Sequence, residues 1–263
     1  MIENFFAFLG KLFINLFDKS VITLGKFSVF QLEIVKLLFT KKFRFKETLQ
    51  QIEFVGANSM LVIFLTAFFT GMVEAIQLYD GFKRFGIENF MGYTIFLSIA
   101  KELGPVFATL MVISRAISSM SAELGTMRVT EQIDALDVMA VNSKHYLVMP
   151  RVIATIISLP LLILLFDAIA NIGAYTISIY VLDVNSVSYL NTIQQYVEFR
   201  DFTDGLIKGL VFGYLISMIG TYVGYFTRGG AKGVGQSTTL AVVVSAIVIF
   251  IADYIISAIL LIV

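Results

Sequence analysis

Six charged side chains lie inside long apolar stretches of this sequence. They are Glu74, Lys101, Glu102, Asp167, Lys208 and Asp253. A charge at the centre of a membrane span costs about 2.5–3.5 kcal/mol on insertion scales, so such residues usually bind a ligand or pair with one another. The chemistry open to this set is therefore recognition of a charged ligand, or pairing between helices, in apolar surroundings.

Lys101 and Glu102 stand just before Gly104-Pro105, where proline loosens a helix. The helical rise places the pair about 15 Å from the outer end of its stretch, near the middle of the membrane. Irregular backbone at this depth is tolerated where it lines a cavity. We therefore expect Lys101 to meet an anionic group of a ligand and Glu102 to set its orientation, with Glu74 as a third candidate for the same ligand.

The remaining charges favour pairing between helices. Asp167 and Asp253 lie at similar heights in their stretches. Pairing of either carboxylate with Lys101 or Lys208 would lock the helices together, a role also open to Glu74. Lys208 lies near the outer boundary, where its long side chain could reach the headgroup region instead. Both alternatives stay open from the sequence alone.

A row of acids lies between the second and third apolar stretches. Glu131, Asp134 and Asp137 recur every three residues. The opposite face is apolar and consists of Val129, Ile133, Leu136 and Ala140. The pattern predicts a short amphipathic helix within about 121–142, which either rests on lipid headgroups or docks onto a basic groove of a partner protein. The acidic face argues against the first, because the inner leaflet is usually anionic.

No catalytic constellation accompanies these residues. The sequence has no Cys and one His, His145, which excludes disulfides, thiolate sites and a multi-His metal site within one chain. Residues 230–237 nearly fit the phosphate-binding loop G-x-x-x-x-G-K-S, but Gln236 replaces the lysine and no strand precedes it. We predict no enzyme activity, no metal and no cofactor, with any energy source on another chain.

The elements that must position these residues are membrane helices. The 263 residues are 58% hydrophobic and 14% charged, against about 25% charged in an average soluble domain. The formal net charge of zero excludes a basic nucleic-acid-binding protein. Five stretches reach the roughly 20 apolar residues that a spanning helix needs, at about 55–78, 91–114, 152–181, 205–226 and 237–263. They lack the alternation of barrel strands, so we predict an all-α integral membrane protein whose transmembrane domain is 55–263.

The first 54 residues form a separate amphipathic segment. Their apolar residues recur at helical spacing in two sets, Ile2, Phe5, Phe6, Leu9, Leu12, Phe13 and Leu16, then Phe27, Phe30, Ile34, Leu37 and Leu38. Lysines interrupt both sets, so we expect residues 1–54 to lie in the membrane interface. Fourteen Lys and Arg residues fall on the side of the N-terminus and three on the other. This bias predicts a cytoplasmic N-terminus and a periplasmic C-terminus.

Two runs in the sequence carry a resemblance to a known family. The first is Glu102-Leu103-Gly104-Pro105, followed by AELGTMRVTEQIDAL at 122–136. The second is GGAKGVG at 229–235, followed by Ser237-Thr238-Thr239. From about residue 55 to the end, the chain resembles the MlaE permease family. The pattern departs modestly where Lys101 stands in place of a frequent Arg, which keeps the charge but loses the planar bidentate fork.

The resemblance implies a permease of an ABC-type system that moves phospholipids or related lipids between membranes, located in a bacterial inner membrane. It implies a homodimer, two cytoplasmic ATPase subunits and an MCE-domain protein on the outer side. The amphipathic helix predicted within about 121–142 becomes the coupling helix, with ATPase contacts expected from Glu123, Arg128, Glu131, Gln132 and Asp134. Two alternatives are an ion-coupled secondary transporter, which five unequal spans disfavour, and a membrane scaffold that only anchors a partner.

Overall fold

The computed structural model describes residues 2–262, with the side chains of residues 21–262 except that of residue 89. Five helical stretches are long and apolar enough to span a membrane, and no strand occurs in this part of the chain, which confirms the predicted all-α membrane fold. The stretches are Phe45–Phe85, Met91–Val129, Lys144–Tyr180, Phe199–Tyr225 and Gly230–Ile262. They are called the first to fifth spans below. The division of the chain at residue 54 stays a prediction.

The helices are α1 (Ile2–Thr40), α2 (Phe45–Val55), α3 (Met60–Phe85), α4 (Met91–Ser98), α5 (Gly104–Val112), α6 (Ser118–Val129), α7 (Gln132–Val138), α8 (Met149–Tyr180), α9 (Ser186–Tyr196), α10 (Phe199–Tyr225) and α11 (Gly230–Ile262). π-Helical turns at Ile99–Leu103 and Ile113–Ile117 join α4, α5 and α6 into the second span, and another at Lys144–Val148 leads into α8. Successive spans alternate in direction. One end of the bundle therefore carries α7 (the α7 side), and the other carries α9 (the α9 side).

The third span, α8, forms the centre of the bundle. Its buried residues face α3 on one flank and α10 on another. Glycines permit this packing: a Cβ on Gly71 of α3 would lie 1.8 Å from the Ala170 carbonyl oxygen, and one on Gly173 of α8 would lie 2.3 Å from the Phe68 oxygen. Small residues at a crossing let two backbones touch, as membrane helices require in the absence of a hydrophobic drive between them. Pro160 lies within α8, which continues through Tyr180 as one helix.

The middle of α1 is packed onto the α7 side of the bundle. Phe30 and Ile34 are buried against α8, α10 and the segment around α7. Phe30 makes edge contacts with Tyr222 and Phe226 at ring-centroid distances of 5.4 and 5.8 Å. The second apolar set predicted for this segment is therefore its docking face. The first set, Ile2 to Leu16, lies outside the described side chains.

Candidate functional site

Charged side chains of the second and fourth spans line a pocket of about 470 Å³ on the α9 side, and uncharged residues of the fifth span complete its wall. Its lining is Tyr93, Leu97, Lys101, Glu102, Tyr196, Glu198, Arg200, Asp201, Asp204, Lys208, Ser257, Leu260 and Leu261. The volume suits a small polar group rather than a whole lipid. Lys101, Glu102 and Lys208, selected from the sequence, are thus brought together.

Lys208 forms the floor of this pocket and is 1% exposed. Its Nζ lies 2.7 Å from Glu102 Oε2, 2.7 Å from the Lys101 carbonyl oxygen and 2.9 Å from Asp253 Oδ1. The first two contacts are hydrogen bonds donated by the ammonium group, and the third is an ion pair without a hydrogen bond. Lys208 therefore does not reach the headgroup region. It ties the fourth span to the second and the fifth.

The backbone of the second span supplies one of these acceptors. Pro105 has no N–H, so it cannot make the α-helical bond to the carbonyl of Lys101, four residues before it. Lys208 donates to that oxygen instead. Gly205 allows the approach, since a Cβ there would lie 2.5 Å from the Ala100 carbonyl oxygen. The π-helical turn and the proline together create a polar backbone patch inside the membrane, a feature frequent at functional sites.

Lys101 is held by the first two turns of α10. Its Nζ lies 2.9 Å from Asp201 Oδ1 and 3.4 Å from Asp204 Oδ2. Asp201 also accepts a hydrogen bond from the backbone N–H of Glu198, which caps the helix. The lysine side chain is one-third exposed, so its third N–H is free to meet a ligand from the pocket.

Arg200 is a lining cation that the sequence reasoning missed. Among the described residues, no carboxylate lies within ion-pair distance of its guanidinium, which donates to the Leu260 carbonyl oxygen at 3.2 Å. Ser257 was also missed; its hydroxyl donates to Glu102 Oε1 at 3.0 Å. Arg200 could have been selected from the sequence, because it lies between acidic residues directly before an apolar stretch. Ser257 gives no such signal, because one serine in an apolar helix is common.

Glu74 and Asp167 lie outside this pocket. Glu74 accepts a hydrogen bond from the Ser98 hydroxyl at 3.2 Å. Asp167 is buried, and within residues 21–262 its Oδ1 has no hydrogen-bond partner. That oxygen packs against Gly104, where a Cβ would lie 1.8 Å from it. The expected pairing with a lysine thus occurs for Asp253 and not for Asp167.

A second group of predicted residues lies on the α7 side. The helix predicted within 121–142 is divided, because Glu131 adopts a left-handed backbone with φ of 59° between α6 and α7. Ile133 is buried and anchors α7 to the bundle. Val138 and Met139 at its far end are 87% and 64% exposed. The result is a short projection with an apolar tip.

Some of the acids around α7 form ion pairs within the chain and others do not. Glu123 pairs with the buried Arg151 at 2.9 Å, which braces α6 against α8. Asp134 pairs with Arg128 at 2.6 Å across the break. Glu131 is exposed, as is Gln132, whose side-chain amide donates to the Thr130 hydroxyl. Glu131 is thus the acid most open to a partner.

A family model, Permease MlaE, matches residues 48–259. This chain belongs to the MlaE permease family. The matched region begins in α2 and ends in α11, so it includes both the α9-side pocket and α7. The resemblance expected from about residue 55 onward is confirmed, and α1 lies outside the match.

Relatives within and beyond bacteria agree with membership of the MlaE permease family. A "Probable ABC transporter permease protein" of Rickettsia bellii is 46% identical over 235 residues, which cover 89% of this chain and 91% of the relative. The "Intermembrane phospholipid transport system permease protein MlaE" of Haemophilus influenzae is 34% identical over 262 residues, 98% of each chain. "Protein TRIGALACTOSYLDIACYLGLYCEROL 1, chloroplastic" of Arabidopsis thaliana is 38% identical over 228 residues, 86% of this chain and 65% of the relative.

Proposed function

We propose that this chain is the permease subunit of an ABC-type transporter that moves phospholipids or related lipids between the inner and outer membranes. The observation that carries the proposal is the α9-side pocket, a charged site of headgroup size within a five-span bundle. The names of the Rickettsia and Haemophilus relatives support it. The bias of basic residues supports a cytoplasmic N-terminus and α7 side, so the pocket would open toward the periplasm of an inner-membrane protein.

The pocket offers separate places for the two charges of a zwitterionic headgroup. The third N–H of Lys101 and the guanidinium of Arg200 are the donors available to a phosphate. The lining carboxylates outnumber the lining cations, since Glu102, Glu198, Asp201 and Asp204 face Lys101, Arg200 and Lys208. That excess disfavours a phosphate alone and favours a headgroup that also carries an amine. Acyl chains would extend along the exposed apolar faces of the spans.

Arg200→Ala is expected to lower the amount of phospholipid that the purified chain retains by about tenfold, because a charge-assisted hydrogen bond is lost. Native mass spectrometry of the protein in mild detergent measures the bound lipid. Lys101→Ala should lower retention as well, although it also leaves Asp201 and Asp204 without a cation. Arg84→Ala is the control, because Arg84 is exposed on the same side and, within the described part of the chain, has Asp80 as its one ion-pair partner. Unchanged retention in both pocket variants would rule out this site.

ATP hydrolysis is assigned to a separate partner that docks on α7. The exposed acid Glu131 and the apolar tip formed by Val138 and Met139 match a basic groove with an apolar floor. Movement of the ATPase subunits would be transmitted through Ile133 to the bundle. The same proposal includes a second copy of this chain and an MCE-domain protein on the α9 side.

Glu131→Lys is expected to reduce the co-purifying ATPase subunit by about tenfold or more, because like charges across an interface are strongly unfavourable. Affinity purification in mild detergent, with the ratio of the two subunits measured on a gel, checks this. Asp80→Lys makes the same charge change at an exposed position on the α9 side and should leave the ratio unchanged. An equal loss in both variants, or no ATPase with the wild-type chain, would refute the assignment.

A further inference from the structure

Two adjoining cavities lie on the α7 side, between α1 and the bundle. Their volumes are about 570 and 590 Å³, and Glu33 and Lys144 line both. The walls come from α1, from the turn between α7 and α8, and from the end of α10 with the turn that follows. Together they form one groove, called the α1 groove below. It lies at the opposite end of the spans from the α9-side pocket.

The α1 groove carries an excess of positive charge. Its cations are Lys26, Lys36, Lys41, Lys144 and Arg228, and its acids are Glu33 and Asp137. Glu33 is already paired with Lys144. Within residues 21–262, no carboxylate lies within ion-pair distance of Lys36 or Lys41. The groove therefore offers unpaired ammonium groups, the reverse of the α9-side pocket.

The floor and one wall of the α1 groove are apolar or aromatic. Phe30, Tyr222 and Phe226 are in mutual ring contact there. A buried hydroxyl pair, Ser143 Oγ and Tyr225 OH at 2.7 Å, adds a polar point beside the lysines. Along α1 the groove continues into exposed apolar side chains, which include Val21, Ile22, Leu24, Val29 and Leu32. Cations beside such a strip match a ligand with an anionic head and an apolar tail.

We propose that the α1 groove binds the headgroup of an anionic phospholipid from the leaflet on the α7 side, with Lys36 and Lys41 contacting the phosphate. Basic pockets beside membrane helices recognise anionic headgroups in this way. A protein partner is disfavoured, because we expect α1 to lie in the membrane interface. Its exposed apolar strip would there contact the acyl chains of the lipids. The site is distinct from the transported lipid and does not depend on the proposed transport function.

The α1 groove is also connected to α7. Asp137, in the last turn of α7, accepts a hydrogen bond from the backbone N–H of Ser143 at 3.3 Å. Lys144 follows and reaches Glu33 of α1. A phosphate in the groove would compete with Glu33 for Lys144. Lipid occupancy would thus be sensed by the segment that ends α7.

The test uses the full chain purified in detergent and exchanged into nanodiscs of phosphatidylcholine with a minor fraction of phosphatidylglycerol. Phosphatidylglycerol that remains bound is counted by native mass spectrometry. The Lys36→Gln and Lys41→Gln variants should each lower the affinity for phosphatidylglycerol about fivefold, and the double variant should lower it about 25-fold. These values follow because one lysine near an anionic lipid surface contributes about 1 kcal/mol. Both lysines are exposed, so the fold is expected to survive, and size-exclusion chromatography checks this.

Two matched control variants isolate the contribution of the α1 groove to lipid binding. Lys46→Gln removes an exposed lysine nearby that does not line the groove, and Arg84→Ala removes an exposed cation on the α9 side that does not line the α9-side pocket. Both should leave phosphatidylglycerol binding unchanged. Equal binding of phosphatidylcholine, or displacement by millimolar inorganic phosphate or glycerol phosphate, would overturn the lipid assignment. Equal losses in Lys46→Gln and the double variant would overturn the site. So would loss of a bound ATPase subunit from the double variant with lipid retention unchanged, because the groove would then be a protein interface.

Discussion

Lys208→Met is expected to destabilise the protein by about 1–3 kcal/mol, because a buried carbonyl and the partly buried carboxylate of Asp253 would lose the cation that satisfies them. Here two carboxylates, Glu102 and Asp253, lose their shared cation. The Lys101 carbonyl, which Pro105 deprives of its helical donor, loses its partner as well. The fourth span would keep the ion pairs of Lys101 with Asp201 and Asp204 and the hydrogen bond of Arg200 to Leu260, but it would lose its buried tie to the second and fifth spans.

Unfolding of the purified chain in detergent, followed by circular dichroism against denaturant, measures this loss for Lys208→Met. Lys232→Met is the matched control, because Lys232 is exposed at the start of α11 and has no ion pair among the described residues. The triple variant with Glu102→Gln and Asp253→Asn should recover part of the stability, since no buried charge would remain unpaired. A stability of Lys208→Met within about 0.5 kcal/mol of the wild type, the range of ordinary surface changes, would show that the network does not hold the spans.

Gly71→Ala is expected to destabilise the protein by about 3 kcal/mol or more, at the upper end of the costs of overpacking. The new Cβ would lie 1.8 Å from the Ala170 carbonyl oxygen, which belongs to the backbone of α8 and cannot rotate away. The contact is reciprocal, since Gly173 of α8 meets the Phe68 carbonyl of α3. The two helices must therefore separate to accept even one methyl group.

The same unfolding measurement applies to Gly71→Ala, with Gly81→Ala as a control in the same helix. A Cβ on Gly81 meets nothing within 4 Å, so alanine there should stabilise α3 by up to about 1 kcal/mol through helix propensity. Opposite signs for the two variants are the expected outcome. Similar values for both would mean that α3 and α8 do not cross as closely as the structure places them.

The spans could be predicted from the sequence because their signal is local. In lipid, the backbone N–H and C=O groups of a segment must form their hydrogen bonds within the protein. A run of about 20 apolar residues meets this requirement by itself as an α-helix. The five stretches are found where they were predicted, although several helices extend further, as α6 does to Val129 and α3 to Phe85. In these extensions the helix continues past the last apolar residues, so hydropathy does not predict where the helix ends.

The break at Glu131 could not be predicted. A non-glycine residue with positive φ is uncommon, and the surrounding sequence reads as one amphipathic helix. Burial of Ile133 against the bundle decides the direction of α7, and that contact involves residues far away in the sequence. In the same way, the apolar face of α1 was visible as a pattern, whereas its docking through Phe30 onto Tyr222 and Tyr225 depends on α10.

The same distinction between local sequence signals and tertiary contacts applies to the candidate site. The sequence by itself determined which residues are costly in the membrane, because the cost of burying a charge depends only on its type and depth. Only the tertiary structure decided their partners: Lys208 with Glu102 and Asp253, Lys101 with Asp201 and Asp204, and Asp167 against Gly104. An ion pair requires two atoms within about 4 Å, and that distance is set by how whole helices cross, through glycines and a proline-freed carbonyl far from either charge.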